Sequence, residues 1–388
     1  MKGCIFERPP GSGRWAIKYD EPRGEDCRRK TRWKTVHGSK RDAQKELRRL
    51  LHEIDQGAYV SPQKLTVADA LRKWLADYAK PRVAAKTYER YNEIIEKHLI
   101  PALGATALPR LAPGAIASYY ATALQSGRRR GNGGLSAQTV KHHHRVLSEA
   151  MRSCVKWRML ALNPCDAVDP PKPQRRDMQV LDATRSAGLL NAIAGDTIEI
   201  PVVLALMTGM RRGEILGLRW QDVNLANATL SVTQSLEDAN GVLSFKAPKT
   251  NRSRRMIALP SLAVEALRRH RVQQGENRLK LGPIYQDQGL VCAALDGRPM
   301  VPRELTKRFS RLSGRIKLGV RLHDLRHSHI THLLAAGVHP KVASERAGHS
   351  SVAITMDVYS HVLPGMQEDA AQKIDDALRT ALEQKTKA

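Results

Sequence analysis

Three prolines within VDPPKPQRRDMQ, residues 168 to 179, constrain this chain more than any other feature. Proline lacks the N–H that a helix interior or a central strand must donate, and it holds the residue before it extended. The stretch therefore reads as an extended interdomain linker. The residues before it must close their own core, and so must the residues after it. The length of 388 residues leaves room for two or three domains at roughly 100 to 200 residues each. With 41% hydrophobic and 26% charged residues, such domains can bury real cores.

Ahead of the linker the apolar period changes once. GRWAIKYD, residues 13 to 20, places Trp15, Ile17 and Tyr19 on one face and Arg14, Ala16 and Lys18 on the other, the alternation of a half-buried strand with a basic outer face. CRRKTRWKTV reads as a second strand. Ser39 and Asp42 then make a capping-box start for a helix that buries Ala43, Leu47, Leu50, Leu51 and Ile54 and stops near Gly57. From residue 64 the pattern is helical. Thr66 caps a stripe of Val67, Leu71, Trp74, Leu75 and Tyr78; KTYERYNEIIEKHLI follows, with a stop expected at Pro101; Pro113 and Ser136 open two more helices. Lys141, His142, Arg145, Lys156 and Arg158 are expected on exposed faces. The run His142, His143, His144 cannot converge on one ion and reads as a solvated or DNA-facing stretch. The resulting divisions are residues 1–60, 64–167, a linker at 168–179, and 180–388.

Beyond the linker, IPVVLALM within residues 182 to 207 is apolar all round and reads as a core helix. Strands are expected at ATLSVTQS, GVLSFKAP and SRRMIALP, with Asn240-Gly241 as the hairpin turn between the first two. Helices follow from residue 261, and the last 23 residues carry Met366, Ala370, Ile374, Leu378 and Leu382 on one four-residue ridge.

The charge demands a polyanionic partner. There are 64 Lys and Arg against 38 Asp and Glu, a net +26, divided as +6 over residues 1 to 60, +10 over 61 to 172 and +10 over the rest. Such an even spread points to several folded surfaces facing a phosphate backbone rather than to a basic tail. No run approaches the ~18 apolar residues of a membrane span. The first residues show no apolar core of a secretion signal, and five unevenly spaced cysteines make a poor disulfide framework, so a cytoplasmic protein is expected.

Four segments carry the chemistry. TGMRRGE sets Arg211 at a helix start with Glu214 one turn on to orient it. HDLR puts His323 and Arg326 on one helical face. GHSSVAITMDVY adds His349 and, ten positions later, Tyr359. With Lys249 in PKT between two strands, the order is Arg, Lys, His-x-x-Arg, Gly-His, Tyr. TGMRRGEILGLRW, PKT, LHDLRHSHITHLL, ERAGHSS and DVYSHVLP resemble, in order and spacing, the motif blocks of the tyrosine recombinases, the phage integrase family.

That resemblance implies a multidomain α+β fold: a small N-terminal three-stranded sheet plus helix that binds arm-type DNA, an all-α helical core-binding domain, and a mainly α catalytic domain with a small antiparallel sheet. It implies that Tyr359 attacks a phosphodiester, that Lys249 is the general acid for the leaving 5′ oxygen, and that Arg211, His323, Arg326 and His349 complete the site. Residue chemistry agrees with these roles. Two forked guanidiniums suit the non-bridging oxygens of a phosphorane, and a tyrosine with its ordinary pKa of about 10 needs a neighbouring base such as His323, or a positive field, to ionise. Lys246 is the nearest rival to Lys249. His323 and His327 stand four apart like two zinc ligands, but Asp-Leu-Arg between them supplies no glutamate and places a cation in the shell, so no metal is assigned.

Arg14, Lys18, Arg28, Arg29 and Lys30 are expected to meet DNA from the N-terminal sheet, and Lys141 and Arg145 from the helical domain. The implied partners are double-stranded attachment sites, a homotetramer on DNA, a directionality factor and a host DNA-bending protein. No cofactor is implied. The C-terminal ridge either packs on its own domain or docks on a neighbouring subunit. A relaxing, topoisomerase-like enzyme and a DNA-binding regulator on an inactive scaffold are the alternative readings.

Overall fold

The computed structural model describes residues 3–21, 30–55, 65–174, 179–247, 254–349 and 351–359, together with 371–372, 374–376 and 378–379. Contacts divide the chain into two units, Met1–Arg175 and Arg176–Ala388.

The first unit begins with an antiparallel sheet of β1 (Cys4–Glu7), β2 (Arg14–Asp20) and β3 (Thr31–His37), in that order. Alternation along β2 turns Ile17 and Tyr19 inward, where they pack with Ala43, Leu50 and Ile54 of α1 (Lys40–Asp55). The expected cap is present: the Asp42 carboxylate accepts from the Ser39 N–H at 2.9 Å, and the Asp42 N–H donates to the Ser39 hydroxyl at 3.3 Å. Two details of the sequence reading change. Residue patterning found two strands, and β1 is the third. The β3 strand begins at Thr31, so Lys30 sits exposed just before it, while Arg28, Arg29 and Gly57 lie outside the described residues.

The helical part runs through α2 (Val67–Lys73), α3 (Lys80–Arg82), α4 (Ala85–Ile94), α5 (Ile100–Leu103), α6 (Pro113–Ser126) and α7 (Ala137–Lys156). A full capping box joins Thr66 and Asp69 at the head of α2. Pro101 does not stop its helix. A widened π turn, Ile95–Leu99, precedes it, the Ile100 N–H reaches back to the Ile95 carbonyl, and the helix continues to Leu103. Pro81 follows the π turn Trp74–Ala79 in the same way. Wider turns relieve the crowding and the missing donor that proline imposes. The core gathers Leu71, Trp74, Ile95, Leu99, Ile116, Leu147 and Met151.

The histidine run is corrected here. His143 is 0% exposed, its Nδ1 sits 2.7 Å from the Tyr119 hydroxyl, and His144 pairs with Tyr120 at 2.8 Å. Desolvation pushes His143 down to about 4. The reason is helical periodicity: 143 follows Val140 by three and precedes Leu147 by four, on the buried stripe of α7. Lys141 and His142 are half-buried rather than exposed, whereas Arg145, Lys156 and Arg158 are exposed.

In the second unit α8 (Ala183–Ala192) and α9 (Glu199–Thr208), apolar from Ile200 to Met207, lead to α10 (Arg212–Gly217). Five short strands follow: β4 (Val223–Asn224), β5 (Thr229–Val232), β6 (Ser235–Ala239), β7 (Val242–Lys246) and β8 (Arg255–Ala258). They form two sheets rather than one, β4-β5-β8 and the hairpin β6-β7. ATLSVTQS thus breaks in two, and Asn240-Gly241, both with positive φ, turns β6 into β7. The helices α11 (Ser261–Leu281), α12 (Pro302–Arg315), α13 (Asp324–Ala335), α14 (Pro340–Ala347) and α15 (Val352–Tyr359) complete the order. The core wraps α9, with Leu204, Ile215, Leu230, Ile257, Leu267, Phe309 and Leu325 among its members. Past α15, Ile374 and Leu378 are exposed, and the rest of the C-terminal ridge lies outside the described residues.

Candidate active site

The site is built on the C-terminal end of α9. Gly209 takes φ +66 there, and a Cβ on it would lie 2.7 Å from His329 Cδ2, so only glycine meets both the turn and the close approach. The Gly209 carbonyl accepts from Arg326 Nη1 at 2.5 Å, which fixes a guanidinium that is 3% exposed. Two residues on, Arg211 leads into α10. Glu214 accepts its backbone N–H and its Nη1, both at 2.9 Å, in the orienting role its spacing suggested.

Glu214 does more than orient Arg211. It is buried and also accepts Arg255 Nη2 at 2.8 Å. Burial alone would push the Glu214 carboxyl up; the Arg255 and Arg211 contacts outweigh it and hold the group below its ordinary value. Arg211 extends its Nη2 to the Gly348 carbonyl at 2.6 Å, and Arg255 donates its Nε to the Arg346 carbonyl at 2.8 Å. Both bonds grip the end of α14. His349 follows at once, with its Nδ1 2.8 Å from the buried Thr355 hydroxyl on α15.

A second brace lies behind the first. His329, 7% exposed, has its Nδ1 3.0 Å from the Leu206 carbonyl, and its Nε2 takes a hydrogen bond from Arg346 Nε at 3.1 Å, which places the ring proton on Nδ1. Arg346 Nη2 also reaches the Met207 and Ala258 carbonyls, at 3.2 and 2.9 Å. The α9, β8, α13 and α14 elements are therefore tied together at the point from which Arg211, Arg326 and His349 emerge.

The field inside this frame keeps histidine neutral. Burial first, then Arg326 and Arg211, pushes His349 down to about 4; burial and His323 take His327 to about 4; His323, at the head of α13, is lowered by desolvation and by Arg326. The His323 and His327 rings meet edge to face at 5.0 Å. Among the described residues no three His, Cys, Asp or Glu side chains gather as metal ligands would.

Of the six residues singled out for catalysis, Arg211, His323, Arg326 and His349 share this electrostatic neighbourhood. Tyr359 is the last residue of α15, and its side chain lies outside the described ones, as does all of Lys249. Lys246 pairs with Glu237 across the β6–β7 hairpin. Arg14, Lys18, Lys30, Lys141 and Arg145 belong to the other unit. Arg255, His329, Arg346 and Thr355 were missed. Strand parity carried the signal for one of them: Arg255 shares a face with the buried Ile257 and Leu259, and an inward arginine needs a buried acceptor.

Two family profiles match the chain, the phage integrase family over residues 180–365 and the phage integrase N-terminal SAM-like domain over 66–121. The chain belongs to the phage integrase family of tyrosine recombinases, enzymes that break and rejoin DNA. Similar curated proteins include the tyrosine recombinase XerC-like protein of Caldanaerobacter subterraneus, 27% identical over 87% of this chain and 90% of that one, and an integrase of Streptomyces ambofaciens, 28% identical over 86% of each. Among solved structures, the Tn1549 transposon integrase in complex with circular intermediate DNA covers 80% of this chain and 99% of its own, with a TM-score of 0.66 at 20% identity. A lambda integrase tetramer bound to a Holliday junction covers 89% and 95%, with a TM-score of 0.55 at 18% identity. At those identities the likeness is one of fold. No described helix is long and apolar enough to cross a membrane.

Proposed function

We propose that this chain integrates or excises a phage or other mobile element by cutting each DNA strand through a 3′-phosphotyrosyl bond. The observation that carries the reading is the common frame holding Arg211, Arg326 and His349, two guanidiniums and a neutral imidazole fixed before any substrate arrives. Donors already aimed at developing charge contribute about 3 to 4 kcal/mol each to a transition state. In this scheme the Tyr359 oxygen bonds to phosphorus as the bond to the 5′ oxygen breaks. Arg211 and Arg326 stabilise the phosphorane. With Thr355 donating to Nδ1, His349 offers its Nε2 proton to a non-bridging oxygen. His323, neutral in this field, takes the tyrosine proton, and Lys249 protonates the leaving 5′ oxygen. The 5′ hydroxyl of a partner strand reverses the sequence, so the energy of the ester is kept.

The domain division at 1–60, 64–167 and 180–388 fits two DNA-binding modules joined to a catalytic one. Arg14, Lys18, Arg28, Arg29 and Lys30 serve arm-type sites, and Lys141 and Arg145 the core site. The lambda integrase tetramer supports four copies acting on one junction, with a directionality factor and a DNA-bending protein as further partners, in the cytoplasm.

A nicked suicide duplex made from the DNA junction flanking the gene tests the scheme. The parent should accumulate a covalent protein–DNA band, and Tyr359→Phe should bind equally well and form none. A band in Tyr359→Phe would move the nucleophile elsewhere, to Tyr285 for example. No band from the parent would make the chain a DNA-binding regulator.

A further inference from the structure

The outer face of the N-terminal sheet is not uniformly polar. Strand register sets Trp33 beside Lys18, and Phe6 beside Ala16, whose small side chain lies between the outer strands. Over it the Phe6 and Trp33 rings approach to 5.8 Å between centroids, 42% and 51% exposed. The Arg8 guanidinium and the Lys18 ammonium stand 5.4 and 5.5 Å from the Trp33 ring centre. These rings take no part in the core, which lies on the other face with Ile17 and Tyr19. An apolar centre rimmed by cations is the result.

Geometry selects what such a surface can read. Three strands spaced about 4.8 Å apart present a face roughly 10 Å wide. That face fits the ~12 Å major groove of B-DNA and is too wide for the ~6 Å minor groove. On the major-groove edge of the base pairs the apolar group on offer is the thymine 5-methyl, and the cationic rim is placed for the phosphates on either side. We propose that Trp33 and Phe6 form a thymine-methyl reader, flanked by Arg8, Arg14 and Lys18 as phosphate contacts. The inference rests on the reading of this sheet as a DNA-binding surface.

The test uses the full chain and a random 30-bp duplex pool. Motifs whose enrichment is lost in Arg14→Ala and Lys18→Ala belong to the sheet. Within them each thymine is replaced singly by deoxyuridine, which keeps the pairing and removes the methyl. At one or two positions affinity should fall about fourfold, the ~0.8 kcal/mol of one methyl-sized group, and Trp33→Ala should bind the thymine and deoxyuridine forms alike. The DNA-side comparison holds on the unaltered chain even if Trp33→Ala fails to fold. An Arg14- and Lys18-dependent motif with no deoxyuridine-sensitive position would overturn the methyl reading and leave the sheet a DNA binder. Unchanged discrimination by a folded Trp33→Ala would remove Trp33 from the role. The absence of any motif dependent on Arg14 and Lys18 would overturn the underlying assignment of the sheet to DNA.

Discussion

Around the candidate active site Arg211, Arg255, Arg326 and Arg346 each end on a carboxylate, an imidazole or a backbone carbonyl, whereas on the N-terminal sheet Arg8 and Lys18 lie against an exposed indole. On the proposed function, the contrast follows the tasks. A transition state gains from donors that need no rearrangement when charge develops. Groove binding draws on counterion release, which tolerates side chains that adjust to the backbone they meet. On the proposed function, the anchored cations of this site serve the chemistry and the adjustable ones of the sheet serve recognition.

The strongest way to break that comparison is Glu214→Gln. It leaves the Arg255 side chain, 7% exposed, without its counter-charge, a loss of about 3 to 5 kcal/mol by the usual cost of breaking a buried pair. Urea denaturation should show it, and the suicide duplex should show cleavage reduced by roughly 100-fold or more as Arg211 loses its anchor. Lys18→Ala should move stability by less than about 0.5 kcal/mol. Equal urea midpoints for Glu214→Gln and the parent would mean that the carboxylate does not hold the frame.

Acid sharpens the contrast next. His329 is pushed down to about 3, and His327 and His349 to about 4, by burial first and neighbouring cations after. They are neutral in the fold but take up protons in the unfolded chain below about 6.5, so the C-terminal unit should lose stability as pH falls from 6.5 toward 4. In the sheet module the described shifted groups are carboxylates, Asp42 lowered by its Ser39 hydrogen bonds and Glu46 held at about 2 by its Arg49 hydrogen bond against 4.5 unfolded, and their contribution is lost only as pH falls below 4.5. Urea midpoints read region by region by pulsed hydrogen exchange at pH 7.5, 6 and 5 should drop for α9 and α13 before β2. The reverse order would place the acid-sensitive groups elsewhere.

The smallest effect is on salt dependence. Arg14→Ala and Lys18→Ala should each lower the slope of log affinity against log salt by about 0.9 if each meets one phosphate, with cleavage of a core-site duplex unchanged. A footprint that does not change in the flanking region would deny them that contact.

The candidate residues were picked out by the resemblance of their motif blocks, within which helical spacing links Arg211 with Glu214 and His323 with Arg326, while His349 follows Gly348 at the end of α14. Arg346 and His329 were not, since the bond between them joins positions 17 apart on two helices whose crossing no local pattern reveals. Thr355 was hidden for the same reason. In the fold, β1 is four residues long, too short for alternation to stand out, and the split of the expected sheet depends on pairing rather than on strand propensity. His143 was legible and misjudged: three adjacent histidines span about 200° of a helix, so one of them had to face the core.

The carboxylate shared by Arg211 and Arg255 has a consequence for the free protein. Two guanidiniums meet this one buried negative charge, so the folded unit without DNA carries a local surplus of like charge that opposes its own compaction. A phosphate placed among them removes that opposition, and anything that binds the folded form alone stabilises it by mass action. DNA is in this sense a structural counterion as well as a substrate. The unit that cuts it should reach its full stability once the strand is in place.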